Sequence, residues 1–246
     1  MSKKNNFLIL ALLIASLTAN SQPNGPDNDT RQIYTGVGGR DKAWYAYLAS
    51  VGAIDGILDR SGFRYDIFLG YGKYKYNDSR ATNHNGIISS VNLGIGYEAV
   101  IENNRFFLSV GPYYRSNKVS PADSVNNSTG SKIGYYIASD TNFWISREYT
   151  FEFNLSYGSI VDEIWTRARP GYTFDSSRVK IGPECSFEKQ RNFKELRLGG
   201  FLALGHFRNA EVCFNAGHAS YKFKSNTLSS PRKKGAYAGL NYSYRF

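Results

Sequence analysis

Large apolar side chains recur at every second position over most of this chain. In "YTFEFNLSYG", Tyr149, Phe151, Phe153, Leu155 and Tyr157 share one face, while Thr150, Glu152, Asn154, Ser156 and Gly158 share the other. Period two belongs to the β-strand, whose successive side chains point to opposite faces. The pattern repeats in "FRYDIFLGY", "SVNLGIGYEA", "RFFLSVGPYYR", "IWTRARPGYTF" and "LRLGGFLAL". Strands are expected near 31–39, 42–54, 62–76, 87–101, 104–115, 132–145, 148–160, 164–175, 178–189, 194–206, 210–224 and 234–246. The count falls to ten if the segment around Gly38-Gly39-Arg40-Asp41 is not a hairpin of two strands.

Alternation alone fits a β-sandwich or a membrane barrel. The polar faces favour the barrel. They carry Gly, Asn and Ser with charges of both signs, as a lumen does. Tyr149 and Tyr157 flank Phe and Leu in the order of interfacial girdle, lipid band and girdle. The expected fold is therefore all-β, an antiparallel transmembrane β-barrel of about twelve strands. Loop lengths agree: "NDSRATNHNG" (77–86), "SNKVSPADSVNNSTGS" (116–131) and "SNTLSSPRK" (225–233) all fall on one side, opposite short breaks. An even count returns the C-terminus to the side of the N-terminus, expected to be the periplasm.

The N-terminus adds compartment. Lys3 and Lys4 precede the apolar run from Phe7 to Leu17, followed by the small-x-small site Ala19-Asn20-Ser21. Residues 1–21 are expected to be a cleaved secretory signal peptide, 22–30 a flexible lead-in, and 31–246 the barrel. The expected location is the bacterial outer membrane, with its lipid, lipopolysaccharide and the barrel assembly machinery as partners. An exported barrel argues against nucleic acid as a partner. The formal charge of +10 includes many basic residues near the long loops, Arg115 and Lys132 among them. Such a rim suits lipopolysaccharide phosphates or an acidic polymer.

Candidate chemistry is sparse. With two Cys, three His and no CxxC or HxxxH spacing, neither a structural zinc nor any other cofactor is expected. Cys185 on the ninth strand faces outward and Cys213 on the eleventh faces inward. Two strand spacings, about 9.6 Å, exceed the ~7 Å Cα limit of a disulfide, so both thiols are expected free. His84 lies near Asp78 and Ser79, but no ordered Ser/His/acid set emerges, so no catalytic residue is assigned. Asn126 and Asn127 read as plain loop residues. The better candidates are the inward charges Arg64, Asp66, Glu98, Glu152, Arg167, Arg169, Glu184, Arg197 and Arg245, which either line an open lumen or salt-bridge a filled one. At the C-terminus, Tyr237, Gly239, Tyr242, Tyr244 and the terminal Phe246 match the spacing of a signal for outer-membrane assembly.

Several segments occur together in order: "YTG", "WYAYLASVGAI", "FLGYGKYKY", "SPADSVN", "GSKIGYY", "WTRARPGY", "IGPE", "LRLGGFL" and "GAYAGLNYSYRF". This set resembles the cellulose biosynthesis protein BcsS family over nearly the whole chain after residue 21. The resemblance implies an outer-membrane protein associated with cellulose or related exopolysaccharide production, and the role expected on that basis is a non-enzymatic accessory or conduit in biosynthesis and secretion. Its partners would be cellulose synthase or export components, or the polymer itself. It brings no catalytic residue. The alternatives are a generic porin-like or structural barrel and a lipid-modifying outer-membrane enzyme.

Overall fold

The computed structural model describes residues 29–77, 82–122, 129–174, 178–206, 209–223 and 233–246. The expected signal peptide, most of the expected lead-in, Asp78, Ser79, Asn126 and Asn127 lie outside the described residues. Twelve strands run in chain order: β1 (Arg31–Arg40), β2 (Ala43–Ala53), β3 (Gly62–Asn77), β4 (Asn83–Ile101), β5 (Asn104–Ser120), β6 (Gly130–Trp144), β7 (Tyr149–Gly158), β8 (Glu163–Thr173), β9 (Val179–Gln190), β10 (Phe193–His206), β11 (Ala210–Phe223) and β12 (Lys233–Arg245). Each pairs antiparallel with its neighbours in sequence, and β1 pairs with β12, closing the barrel. Closure leaves no edge whose backbone groups would go unsatisfied in lipid.

The first hairpin is two strands, so the count is twelve rather than ten. Its turn is Asp41-Lys42, with Lys42 in the left-handed region at φ 61°. Tight hairpin turns favour Asn-Gly or Asp-Gly there, which is why this turn is faint in the sequence. The outer face is apolar and bare: Ile133 is 80% exposed, Ile95 62% and Leu108 59%. A soluble sandwich would bury this face, whereas a barrel gives it to lipid.

Two expectations about loops need correction. Strands β3 to β6 are 15 to 19 residues long, beyond the ~9–11 that a membrane requires. The supposed loops at 77–86 and 116–131 therefore shrink to 78–82 and 121–129, because the ladder continues through Tyr76↔His84 and Asn117↔Gly130. The basic rim also loses members. Arg115 points into the lumen and is buried. Lys132 is its lumen-facing neighbour across β5 and β6. Finally, the side holding both termini carries one connection that is not a short turn, the segment 54–61 between β2 and β3.

Candidate functional site

The lumen is the only place where the barrel gathers convergent polar groups among the described residues. Its lowest layer surrounds segment 54–61, which folds inward across the end that holds both termini. Leu58 is only 1% exposed. Its N–H donates to the Asp29 carbonyl at 2.7 Å, and its own carbonyl accepts from Arg105 at 2.9 Å and Arg64 at 3.3 Å. Arg64, 0% exposed, also donates to the carbonyls of Ile57 and Arg60 and pairs with Glu98 at 2.8 Å. Arg105 shares Glu98 at 2.7 Å. Asp59 lies 3.1 Å from Arg245 on β12 and 3.6 Å from Arg105 on β5, strands on nearly opposite walls. The segment is thus a crossbar, held by backbone acceptors that buried guanidinium groups satisfy.

The next layer is a second network. Arg169 on β8 pairs with Glu184 on β9, which also accepts from Asn215 on β11 at 3.0 Å and Tyr237 on β12 at 3.2 Å. Lys180 pairs with Glu152 at 2.5 Å. Arg167 donates to Asn154 at 2.9 Å. On the other wall, Tyr136 donates to Asp66. Phe201, Ala203 and Cys213 form a small apolar cluster within the lumen.

Towards the far end, contacts join strands three or four positions apart around the ring. Arg40 on β1 pairs with Glu195 on β10 at 2.8 Å and stacks over Tyr221 at 3.9 Å. Arg115 on β5 pairs with Glu163 on β8 at 2.6 Å and donates to Gln190 on β9 at 3.1 Å. Arg197 pairs with Glu195 at 2.9 Å and lies 5.9 Å from the Tyr45 ring, four strands away.

All nine charges read as inward from the sequence do face the lumen, and each has a partner in it. Seven bond to a charged side chain or to Tyr136, Arg167 bonds to Asn154, and Arg245 bonds to Gln32 as well as Asp59. Sequence reasoning missed their counterparts Arg40, Arg105, Arg115, Glu163 and Glu195. Strand phase alone places these inside, so that signal was present. It also missed segment 54–61, for which alternation offers no signal.

The remaining candidates resolve as follows. His84 is 2% exposed, stacked on Tyr76 at 5.0 Å, and its Nδ1 donates to the Pro121 carbonyl at 2.9 Å. Only a protonated Nδ1 can donate to a carbonyl, which assigns the tautomer if the ring is neutral. His218 faces outward between Leu198 and Ala236. Cys185 and Cys213 are both free, the first exposed on the outer face and the second buried in the lumen. At the C-terminus, Tyr237 and Gly239 face inward while Tyr242 and Tyr244 face outward, and Phe246 stacks on Tyr244 at 6.0 Å. The Phe246 carbonyl accepts from the N–H groups of Thr30 and Arg31, both at 2.9 Å.

Comparison with known proteins follows the same lines. The profile of the family described as cellulose biosynthesis protein BcsS matches residues 33–246. Among solved structures, an outer-membrane channel from Pseudomonas putida F1 superposes with a TM-score of 0.53 at 10% identity, covering 92% of this chain and all of that one. A mutant of the TodX monoaromatic hydrocarbon channel gives 0.51 at 8% identity, covering 90% of this chain and 91% of that one. LpxR from Salmonella typhimurium gives 0.50 at 9% identity, covering 87% and 100%. At such identities the likeness is one of fold, that of outer-membrane barrels. No curated protein matches the sequence.

Proposed function

Since the chain belongs to the cellulose biosynthesis protein BcsS family, we propose that it is a non-enzymatic outer-membrane accessory of cellulose or related exopolysaccharide secretion. The observation that carries the non-enzymatic part is the state of the lumen charges. Most of those with identified partners are spent on one another, as in the Arg64–Glu98–Arg105 and Arg169–Glu184 groups. A cation beside a carboxylate favours its ionised form and so weakens it as the base that would activate a nucleophile. An accessory role is better supported than an open polymer conduit. The crossbar of residues 54–61, at the end that holds both termini, occupies the path a chain would take through the barrel.

On this reading residues 1–21 are a leader removed during export, and the C-terminal aromatic signal delivers the barrel to the assembly machinery. Lipopolysaccharide surrounds the extracellular rim. The working partners are the exopolysaccharide or the components that synthesise and export it. Deleting the gene in a cellulose-producing strain tests the role: surface cellulose is expected to fall, and normal output would overturn the assignment. Overexpression is expected to leave lipid A and phospholipid profiles unchanged, whereas a new lipid species would make the barrel an enzyme.

A further inference from the structure

One wall of the lumen carries aromatic rings that its ion-pair networks do not explain. Tyr76 and Tyr74 stack at 5.9 Å with 18° between planes, near the end away from the termini. Tyr74 is the diagonal neighbour of Tyr45 across β2 and β3. Tyr45 and Tyr47 follow at 6.4 Å and 20°, then Tyr47 and Phe68 at 5.8 Å and 15°. These five rings descend from the mouth towards the middle of the barrel.

The rings lie flat because glycines lie beneath them. A Cβ on Gly36 would stand 2.6 Å from the Tyr47 ring, one on Gly38 would stand 3.2 Å from Tyr45, and one on Gly86 would collide with Tyr74. Laid on backbone, Tyr45 turns part of its other face to the bore. Tyr45 is 40% exposed although its strand phase points it inward. Part of the ring is therefore accessible beside the Arg197 guanidinium, which lies 5.9 Å from it, and the crossbar lies at the opposite end. Cross-strand from Phe68, the Asn92 side-chain oxygen has no partner among the described residues.

We propose that this wall is a binding track for a neutral, linear β-linked glucan, entering from the cell-surface end of the barrel. The C–H faces of pyranose rings are apolar and flat, and they stack on aromatic faces. A linear polymer repeats that face at intervals, as the track does. The neutral class follows from the lumen charges, which balance one another and leave little net field for an acidic polymer. The bland alternative is that rings over glycines merely restore packing to the sheet. The choice of glucan rests on the proposed role in cellulose secretion, while the track itself does not.

The test uses the full-length barrel in detergent micelles with cellohexaose as the probe, read by titration calorimetry. Wild type is expected to bind. Tyr45→Ala should weaken binding about tenfold, the size of one stacking contact, and Tyr45→Phe should retain it. Phe68→Leu, which keeps apolar bulk and removes the flat face, serves if Tyr45→Ala does not fold, as judged by heat-modifiable migration. Absence of binding by wild type, or equal binding by Tyr45→Ala and Phe68→Leu, overturns the track. Tighter binding of an oligouronate than of cellohexaose overturns the neutral assignment. The deletion strain reports separately. Lost cellulose with no glucan binding would sink the track and leave the accessory role. Normal cellulose with glucan binding would do the reverse.

Discussion

Arg64 and Glu98 form an ion pair at 2.8 Å between neighbouring strands, and the guanidinium also holds the backbone of the segment that crosses the barrel's lower end. A buried charge that loses its partner is costly, about 3–5 kcal/mol. Arg64→Ala strands Glu98 beside Arg105 alone and releases carbonyls of segment 54–61. The unfolding free energy of the refolded barrel, read from denaturant titration, is expected to fall by an amount near the low end of that range, since Arg105 remains. An unchanged value would mean that the crossbar contributes nothing to stability.

Shortening segment 54–61 tests occlusion directly. Replacing residues 55–60 with a short Gly-Ser turn removes Leu58 and Asp59 from the bore while keeping β2 and β3. Planar-bilayer recordings are expected to show little conductance for wild type and discrete larger steps for the variant. Equal conductance would place the constriction elsewhere, most plainly at Arg40–Glu195 and Arg115–Glu163.

The two thiols make a topological probe. Cys185 faces outward beside Leu198 and Ala168, and Cys213 is buried opposite Ala203. In intact membranes an apolar maleimide should label Cys185 and a charged, water-soluble one should not. Cys213 should react only after unfolding. Two free thiols are expected in the unfolded chain without reductant.

Phe246 joins the barrel seam through its carbonyl and its N–H, the latter donating to Arg31 at 2.9 Å. Deleting it removes three backbone hydrogen bonds from closure as well as the terminal aromatic. The fraction inserted in the outer membrane is expected to drop severalfold in membrane fractionation. Wild-type insertion would show that closure from Gln32↔Arg245 upward suffices.

Asp29 lies outside the strands and gives a pH prediction. Burial holds its carboxyl above the usual carboxylate range, against the lowering effect of Arg245. A raised folded pKa means the protonated form favours the folded state. That contribution is complete below the unfolded value of about 3.9 and disappears as pH rises through the folded one. Asp29→Asn should therefore match wild type at acidic pH and exceed it in stability at neutral pH. Greater wild-type stability at neutral pH would show that the Asn209 hydrogen bond outweighs the desolvation.

Much of this protein was legible in one dimension. Period-two alternation placed Arg64, Asp66, Glu98 and Arg197 inside and Leu93, Ile95 and Leu108 outside, because strand geometry admits only two directions for a side chain. It also separated Cys185 from Cys213. Strand limits were less legible. Beyond the lipid band no hydrophobic demand marks where pairing stops, so β4 and β5 run past the apolar pattern. The Asp41-Lys42 turn was obscure because its left-handed residue is not glycine.

What alternation cannot supply is distance across the bore. Arg40 meets Glu195, Arg115 meets Gln190, and Asp59 reaches both Arg245 and Arg105 only because the sheet closes on itself. The sequence by itself determined which face each residue takes, since that is a local property of an extended chain. The tertiary structure decided which inward residues meet and which segment crosses the lumen. It also decided which rings lie flat. Those outcomes depend on the register around all twelve strands, on closure, and on glycines that lie beside an aromatic only after neighbouring strands are paired.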